Sequence, residues 1–272
     1  MFVKICGITS AADWALAAEA GADAVGLNFV PTSKRFLSLA EARKLVRAQS
    51  GRQPLSAASV ETSSAEATGV EAAQEAHGSE ATGAAARESD STGAADGTGR
   101  RRRQVELWGV FAGAELETVH QIIDEVGLDV VQLHGGESAE YARLVRQLGV
   151  RVVRVFSVEV EGAAGQAAGP LALPDVDATE KIVMVDAAVA GRSGGTGRHF
   201  DWRRLAGLHG CPGGCRVLLA GGLTSENVTE AIATARPWGV DVAGGVCAAN
   251  DPRRKDPAKV REFIARARAA ER

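Results

Sequence analysis

Short apolar runs rich in β-branched residues alternate with helix-period stretches along most of this chain, and the alternation repeats eight times. The strand-like runs are Val3–Cys6, Ala24–Phe29, Val105–Phe111, Val130–His134, Arg151–Val155, Lys181–Asp186, Arg216–Ala220 and Val240–Ala243. Between them, Ala11–Ala20, Leu39–Ala48, Leu116–Val126, Ala139–Leu148, Ser225–Ala235 and Pro257–Ala269 read as helices. Several carry start signals. Ser38 stands three residues before Glu41, the spacing of a capping box, and Asp256 precedes Pro257 at a first helical position. Thr224 before "SENVTEAI" reads as a further cap. The fifth and sixth crossovers are weaker: Glu161–Ala178 is Gly/Ala-rich and poorly periodic, and Phe200–Leu208 offers only a short helix.

Eight mainly apolar strands, each followed by a crossover, fit an α/β fold: a closed (β/α)8 TIM barrel wrapped by helices. A doubly wound open sheet is the competitor. No GxGxxG follows the first strand, and the glycine-rich loops come late, after strands six, seven and eight, so the barrel is favoured.

One segment breaks the pattern. Residues 50–103 are Ala, Ser, Thr, Gly and Glu with almost no large apolar side chain, closing on Arg100-Arg101-Arg102-Arg103. Such a stretch cannot bury enough surface to offset its ordering entropy, so it is expected to be a disordered low-complexity insertion. Patterning resumes on both sides, so residues 1–272 are read as one domain interrupted by it. It falls between the second helix and the third strand, on the face opposite the active end of a barrel, and is expected to be dispensable for chemistry.

Composition narrows the partners. The formal net charge of −3 over 272 residues gives no reason to expect nucleic acid or membrane. No window supplies the roughly 18 uncharged apolar residues of a membrane span. The chain enters a charged strand at once, through Lys4, without a signal-peptide pattern. Four cysteines in such a chain point to a reducing cytoplasm, with "CPGGC" at Cys211–Cys215 read as a plain loop. The helix faces show no extra apolar stripe, so a monomer is the default and a homodimer the alternative.

In a barrel of this kind the working groups sit at the carboxyl ends of strands. Those ends carry Cys6, then Asn28 with Arg35 in "SKRF", then Gln132 and His134 in "QLHG", then Asp186. Each has an ordinary alternative: a small core thiol, a surface ion-pair partner, a strand-end capping group, a helix cap. Their convergence on one mouth changes the weight. The glycine pairs Gly221-Gly222 and Gly244-Gly245, after strands seven and eight, suit a phosphate bound by backbone N–H groups. Gly195 and Gly197 in "SGGTG" add possible donors.

Taken in order, "KICG", "SKRF", "VQLHG", "VDA", "GGTGRHFDW", "LAGGLTSENV" and "GVDV" resemble phosphoribosylanthranilate isomerase of tryptophan biosynthesis, over residues 1–49 and 105–272. The resemblance implies a (β/α)8 barrel with no metal or organic cofactor. It implies an Amadori rearrangement of N-(5-phosphoribosyl)anthranilate, a phosphorylated aminosugar, to 1-(2-carboxyphenylamino)-1-deoxyribulose 5-phosphate. Cys6 then matches the general base, Asp186 the general acid and Arg35 the holder of the anthranilate carboxylate. Gln132 and His134 match binding or positioning residues, and Gly195, Gly197, Gly221, Gly222, Gly244 and Gly245 the phosphate site. The chemistry is demanding: a free thiol titrates near about 8.5 and a free aspartate near about 3.9, so Cys6 must be ionised and Asp186 kept protonated.

One departure stands out. Relatives usually read Ser-Ser-Gly-Val-Glu after strand eight, where this chain has Ala243-Gly244-Gly245-Val246-Cys247. That removes hydroxyl donors near the phosphate and brings in Cys247 as a second candidate thiol. The competing readings are the histidine-pathway aminoaldose isomerase, which uses two aspartates, and a non-catalytic barrel that binds phosphorylated ligands.

Overall fold

The computed structural model describes residues 1–49, 105–157, 173, 176, 179–186, 202–203 and 214–271. The chain divides into a unit made of Met1–Leu55 and Val105–Arg272 and a second unit, Ser56–Gln104. The low-complexity stretch thus falls outside the described residues, and so do the weak fifth and sixth crossovers apart from a few positions.

Eight parallel strands close into a barrel in sequence order: β1 (Phe2–Cys6), β2 (Ala24–Asn28), β3 (Glu106–Phe111), β4 (Val130–Leu133), β5 (Arg151–Ser157), β6 (Ile182–Asp186), β7 (Arg216–Ala220) and β8 (Gly239–Val242). β1 pairs with both β2 and β8, which seals the ring. The helices are α1 (Ala11–Ala20), α2 (Leu39–Ala48), α3 (Leu116–Val126), α4 (Ala139–Gln147), α5 (Val228–Ala235) and α6 (Pro257–Ala269). No helix among the described residues is long and apolar enough to cross a membrane.

Local chemistry explains most boundaries. The Ser38 hydroxyl accepts from the Glu41 backbone N–H while the Glu41 carboxylate accepts from Ser38, completing the capping box of α2. Ser10 caps α1, and the Asp256 carboxylate accepts from Ala258 and Lys259 ahead of Pro257. Gly21 ends α1 with φ +93°, a left-handed conformation that glycine adopts without a Cβ penalty. α5 differs from expectation. It begins at Val228, not Ser225, because the Asn227 carboxamide folds back to accept from the Thr224 N–H and donate to the Gly222 carbonyl, making a turn of residues 225–227.

Strand period two sorts the buried residues into two cores. Ala24, Trp108, Val130, Val153, Val155, Met184, Leu218 and Ala220 fill the barrel, with Phe2 and Ile182 packed against them. The alternate positions, such as Val3, Ile5, Val25, Leu107, Val131 and Val185, face the helices. Arg154 is on this outer face. It is buried and grips Glu180 with two bonds, Nε–Oε1 at 2.7 Å and Nη2–Oε2 at 3.0 Å. The same alternation carries Lys4, Cys6, Gln132, Asp186 and Asp241 onto the inner face.

Two strands stand outside the barrel. β9 (Cys247–Ala248) and β10 (Asp251–Lys255) pair antiparallel after a single 3-10 turn over Gly244–Val246. Nothing in "CAANDPRRK", residues 247–255, alternates apolar with polar, so period reading does not find this hairpin; β10 reads Asp-Pro-Arg-Arg-Lys. Cys215 lies in a loop and is disulfide-bonded, contrary to the reduced cysteines expected, and its partner lies outside the described residues.

Candidate active site

Cys6 is the last residue of β1 and Asp186 the last of β6, and parallel strands bring both to one rim of the barrel. Each sits two residues beyond an inward-facing neighbour, Lys4 and Met184 respectively, so both side chains turn toward the axis.

The Asp186 side chain is 15% exposed, and its Oδ2 lies 3.1 Å from His134 Nε2. His134 Nδ1 in turn lies 3.3 Å from the Gln132 carboxamide nitrogen. With that nitrogen as donor, Nδ1 accepts and Nε2 carries the hydrogen directed at Asp186. Asp186 Oδ1 is buried and has no hydrogen-bond partner among the described residues. The Gln132 carboxamide oxygen is likewise buried and unpartnered among those residues. Buried polar atoms left open in this way cost stability, and at a barrel mouth they are groups a ligand can complete. Gln132, His134 and Asp186 therefore form one chain of contacts, as their shared position at strand ends leads one to expect.

Arg35 reaches across the rim from the loop after β2. Its Nε donates to the Pro252 carbonyl at 2.8 Å, and its Nη2 is 3.5 Å from Cys247 Sγ. The side chain lies over Gly7, where a Cβ would come 2.3 Å from Arg35 Cδ. Gly7 also has φ +72°, so both space and backbone call for glycine there. The hairpin β9–β10 thus serves as the anchor for Arg35.

The two described glycine pairs meet. Gly221 and Gly222 have φ of +88° and +63°, and Gly245 packs so close to the same loop that a Cβ would come 2.0 Å from the Leu223 carbonyl oxygen. A Cβ at Gly244 would come 3.5 Å from Arg35 Nη2. Gly195 and Gly197 lie outside the described residues.

Sequence reading passed over the charged groups beneath the rim. Lys4, fully buried, donates to Asp241 Oδ1 at 2.8 Å and lies 5.2 Å over the Trp108 ring. Burial acts to lower the Lys4 ammonium, but Asp241 and the Cys6 sulfur outweigh it and hold it above its ordinary value. Burial pushes the Cys6 thiol up; Lys4 and Lys255 oppose this, while Asp241 adds to it. Lys255, also buried, donates to the carbonyls of Cys6 at 2.6 Å and Ala243 at 2.9 Å. Its Nζ is 3.6 Å from Cys247 Sγ, and burial, its largest influence, pulls its pKa down. The available signal was the lysine itself, two residues before Cys6 in an otherwise apolar strand.

Comparisons with known proteins bear on the family and the fold. The family model for N-(5'phosphoribosyl)anthranilate (PRA) isomerase matches residues 57–266. An N-(5'-phosphoribosyl)anthranilate isomerase of Citrifermentans bemidjiense is 36% identical over 266 residues, covering 98% of this chain and 96% of that one. One from Acidithiobacillus ferrooxidans is 35% identical over 268 residues, covering 98% and 97%. Among solved structures, the phosphoribosyl anthranilate isomerase of Thermus thermophilus superposes with a TM-score of 0.65 at 27% identity, covering 99% of both chains. That of Thermotoga maritima gives 0.65 at 25% identity, again over 99% of both. A match over well over half the chain, joined to relatives above 30% identity along nearly all of it and to the same closed barrel, shows that this chain belongs to the N-(5'-phosphoribosyl)anthranilate isomerase family.

Proposed function

We propose that this barrel mouth carries out the isomerisation for which the family is named, with Cys6 as general base and Asp186 as general acid. The substrate is N-(5'-phosphoribosyl)anthranilate. A proton passes from Asp186 to the furanose ring oxygen, the bond from that oxygen to C1 breaks, and the anthranilate nitrogen lone pair forms the C1–N double bond of a Schiff base. The Cys6 thiolate then takes the proton from C2, and the C2–H electron pair becomes a C1–C2 double bond that quenches the iminium. The enolamine tautomerises to the aminoketose: the C2 hydroxyl loses its proton and C1 gains one.

The observation that carries this reading is the pairing of an inward thiol and an inward carboxyl on one rim, the carboxyl with one oxygen held by His134 and the other open. The held oxygen fixes the carboxyl plane, which leaves Oδ1 to bear the transferable proton. Arg35, pinned by Pro252, offers its remaining guanidinium hydrogens to a carboxylate. Gly221, Gly222, Gly244 and Gly245 offer backbone donors to the phosphate.

Steady-state conversion of phosphoribosylanthranilate by the wild type, Cys6→Ser and Asp186→Asn tests the assignment. Each substitution is expected to lower kcat by about 10²–10⁴-fold while the fold persists. Turnover within a few-fold of wild type in either variant would remove that residue from its role.

A further inference from the structure

The base needs a thiolate in a buried position, and burial works against that. The geometry around Cys6 contains a device that answers this. Gly26 of β2 stands beside Cys6 in the parallel ladder. A Cβ at Gly26 would come 3.0 Å from Cys6 Sγ and 3.2 Å from both Cε and Nζ of Lys4. The sulfur and the ammonium therefore converge over the same bare backbone, in the space a side chain would take. The ammonium is fixed from two further sides, by Asp241 Oδ1 at 2.8 Å and by the face of Trp108 at 5.2 Å.

We propose that Lys4 is a positioning residue of the reaction: its buried ammonium, anchored by Asp241 across the β1–β8 seam, holds the Cys6 sulfur over Gly26 and favours the charged form of that sulfur against the effect of burial. This deepens the reading of Cys6 as base and rests on it. An ammonium has three hydrogens and no acceptor, so with one given to Asp241 another is free to serve the sulfur. Asp241 has a double part. It makes a buried lysine tolerable, and it offsets part of the field that Lys4 exerts on the thiol.

Other charges face the same sulfur. Lys255 of β10 reaches the Cys6 carbonyl at 2.6 Å and adds a second positive field. Arg35 lies over Gly7, one residue on, and Cys247 of β9 touches Lys255 rather than Cys6 among the described contacts. β2 contributes only Gly26 at this level. Lys4 differs from Lys255 in reaching the sulfur itself rather than the backbone of Cys6.

The test reads Cys6 acidity without any substrate, so it stands apart from the turnover assay that tests Cys6 as base. Alkylation of the full-length protein by iodoacetamide is followed on the Cys6 peptide by mass spectrometry as a function of pH. Two variants are compared with wild type: Asp241→Asn, and Lys4→Met/Asp241→Asn, which removes both buried charges together and so avoids a lone buried carboxylate. The proposal expects the alkylation midpoint to fall in Asp241→Asn, where the ammonium acts unopposed. It expects a rise of about one pH unit or more in the double variant, a roughly tenfold smaller thiolate fraction at neutral pH. A merely structural pair would move both midpoints in the same direction or not at all. Either of those results overturns the proposal, as does a double variant that stays at the wild-type midpoint.

Discussion

Gly26→Ala is the smallest change that reaches the base without touching it. The added methyl would stand 3.0 Å from Cys6 Sγ and 3.2 Å from the end of Lys4, inside the ordinary separation of about 3.5–4.0 Å between carbon atoms. Relief asks for a displacement of a few tenths of an ångström. Lys4 gives way least, since Asp241 and Trp108 hold it, so the sulfur carries most of the movement. Overpacking of a tight core costs about 1–3 kcal/mol, which lowers Tm by about 2–12 °C in a chain of this size. Misplacing a reacting group by about 1 Å costs up to about 10²-fold in rate. The expected outcome is a fall in kcat of a few-fold up to roughly 10-fold with KM nearly unchanged, because the shift is well under 1 Å and Arg35 and the glycine pairs are not displaced. Steady-state kinetics beside a thermal melt measures both. Unchanged kcat in a folded variant would refute the placement of the Cys6 sulfur over Gly26 as a condition of turnover.

Other consequences are open to measurement. Because burial pushes the Cys6 thiol up, its thiolate fraction grows as pH rises toward the folded value, so kcat/KM should climb on the alkaline side of neutrality. A profile that is flat there would argue against a thiol base. Arg154→Leu deletes both short bonds to the buried Glu180 carboxylate, leaving Arg146 at 3.3 Å as its remaining close guanidinium among the described ion pairs. A cost of about 3–5 kcal/mol is expected in chemical denaturation, with kcat of the folded fraction preserved since Arg154 faces the helices. A loss below 1 kcal/mol would mean that water or backbone shift replaces the pair.

Much of the fold follows from short-range pattern. Arg216–Ala220 and Pro257–Ala269 have the same bounds in the sequence reading and in the structure, because a short apolar run and a capped, proline-started helix are decided within a few residues. The same rule failed at α5, where Asn227 makes a turn that competes with the expected Thr224 cap. It also failed at the β9–β10 hairpin, whose charged residues pair for reasons that lie elsewhere: Lys255 against Cys6 and Pro252 against Arg35. Cys6, Asp186, Arg35, Gln132 and His134 were legible as strand-end groups because strand order and parallel direction alone bring them to one rim.

Sequence by itself thus determined the alternation, the barrel and the identity of the groups at its mouth, since these depend on side-chain period and on chemistry carried within single motifs. Only the closed tertiary structure decided which charges face the thiol. Lys4 and Asp241 are 237 residues apart and meet only because β8 closes against β1. Arg35 is likewise fixed by a carbonyl 217 residues away. Contacts of that span leave no local trace, because the field at a buried sulfur is set by distance through the folded protein and not by distance along the chain.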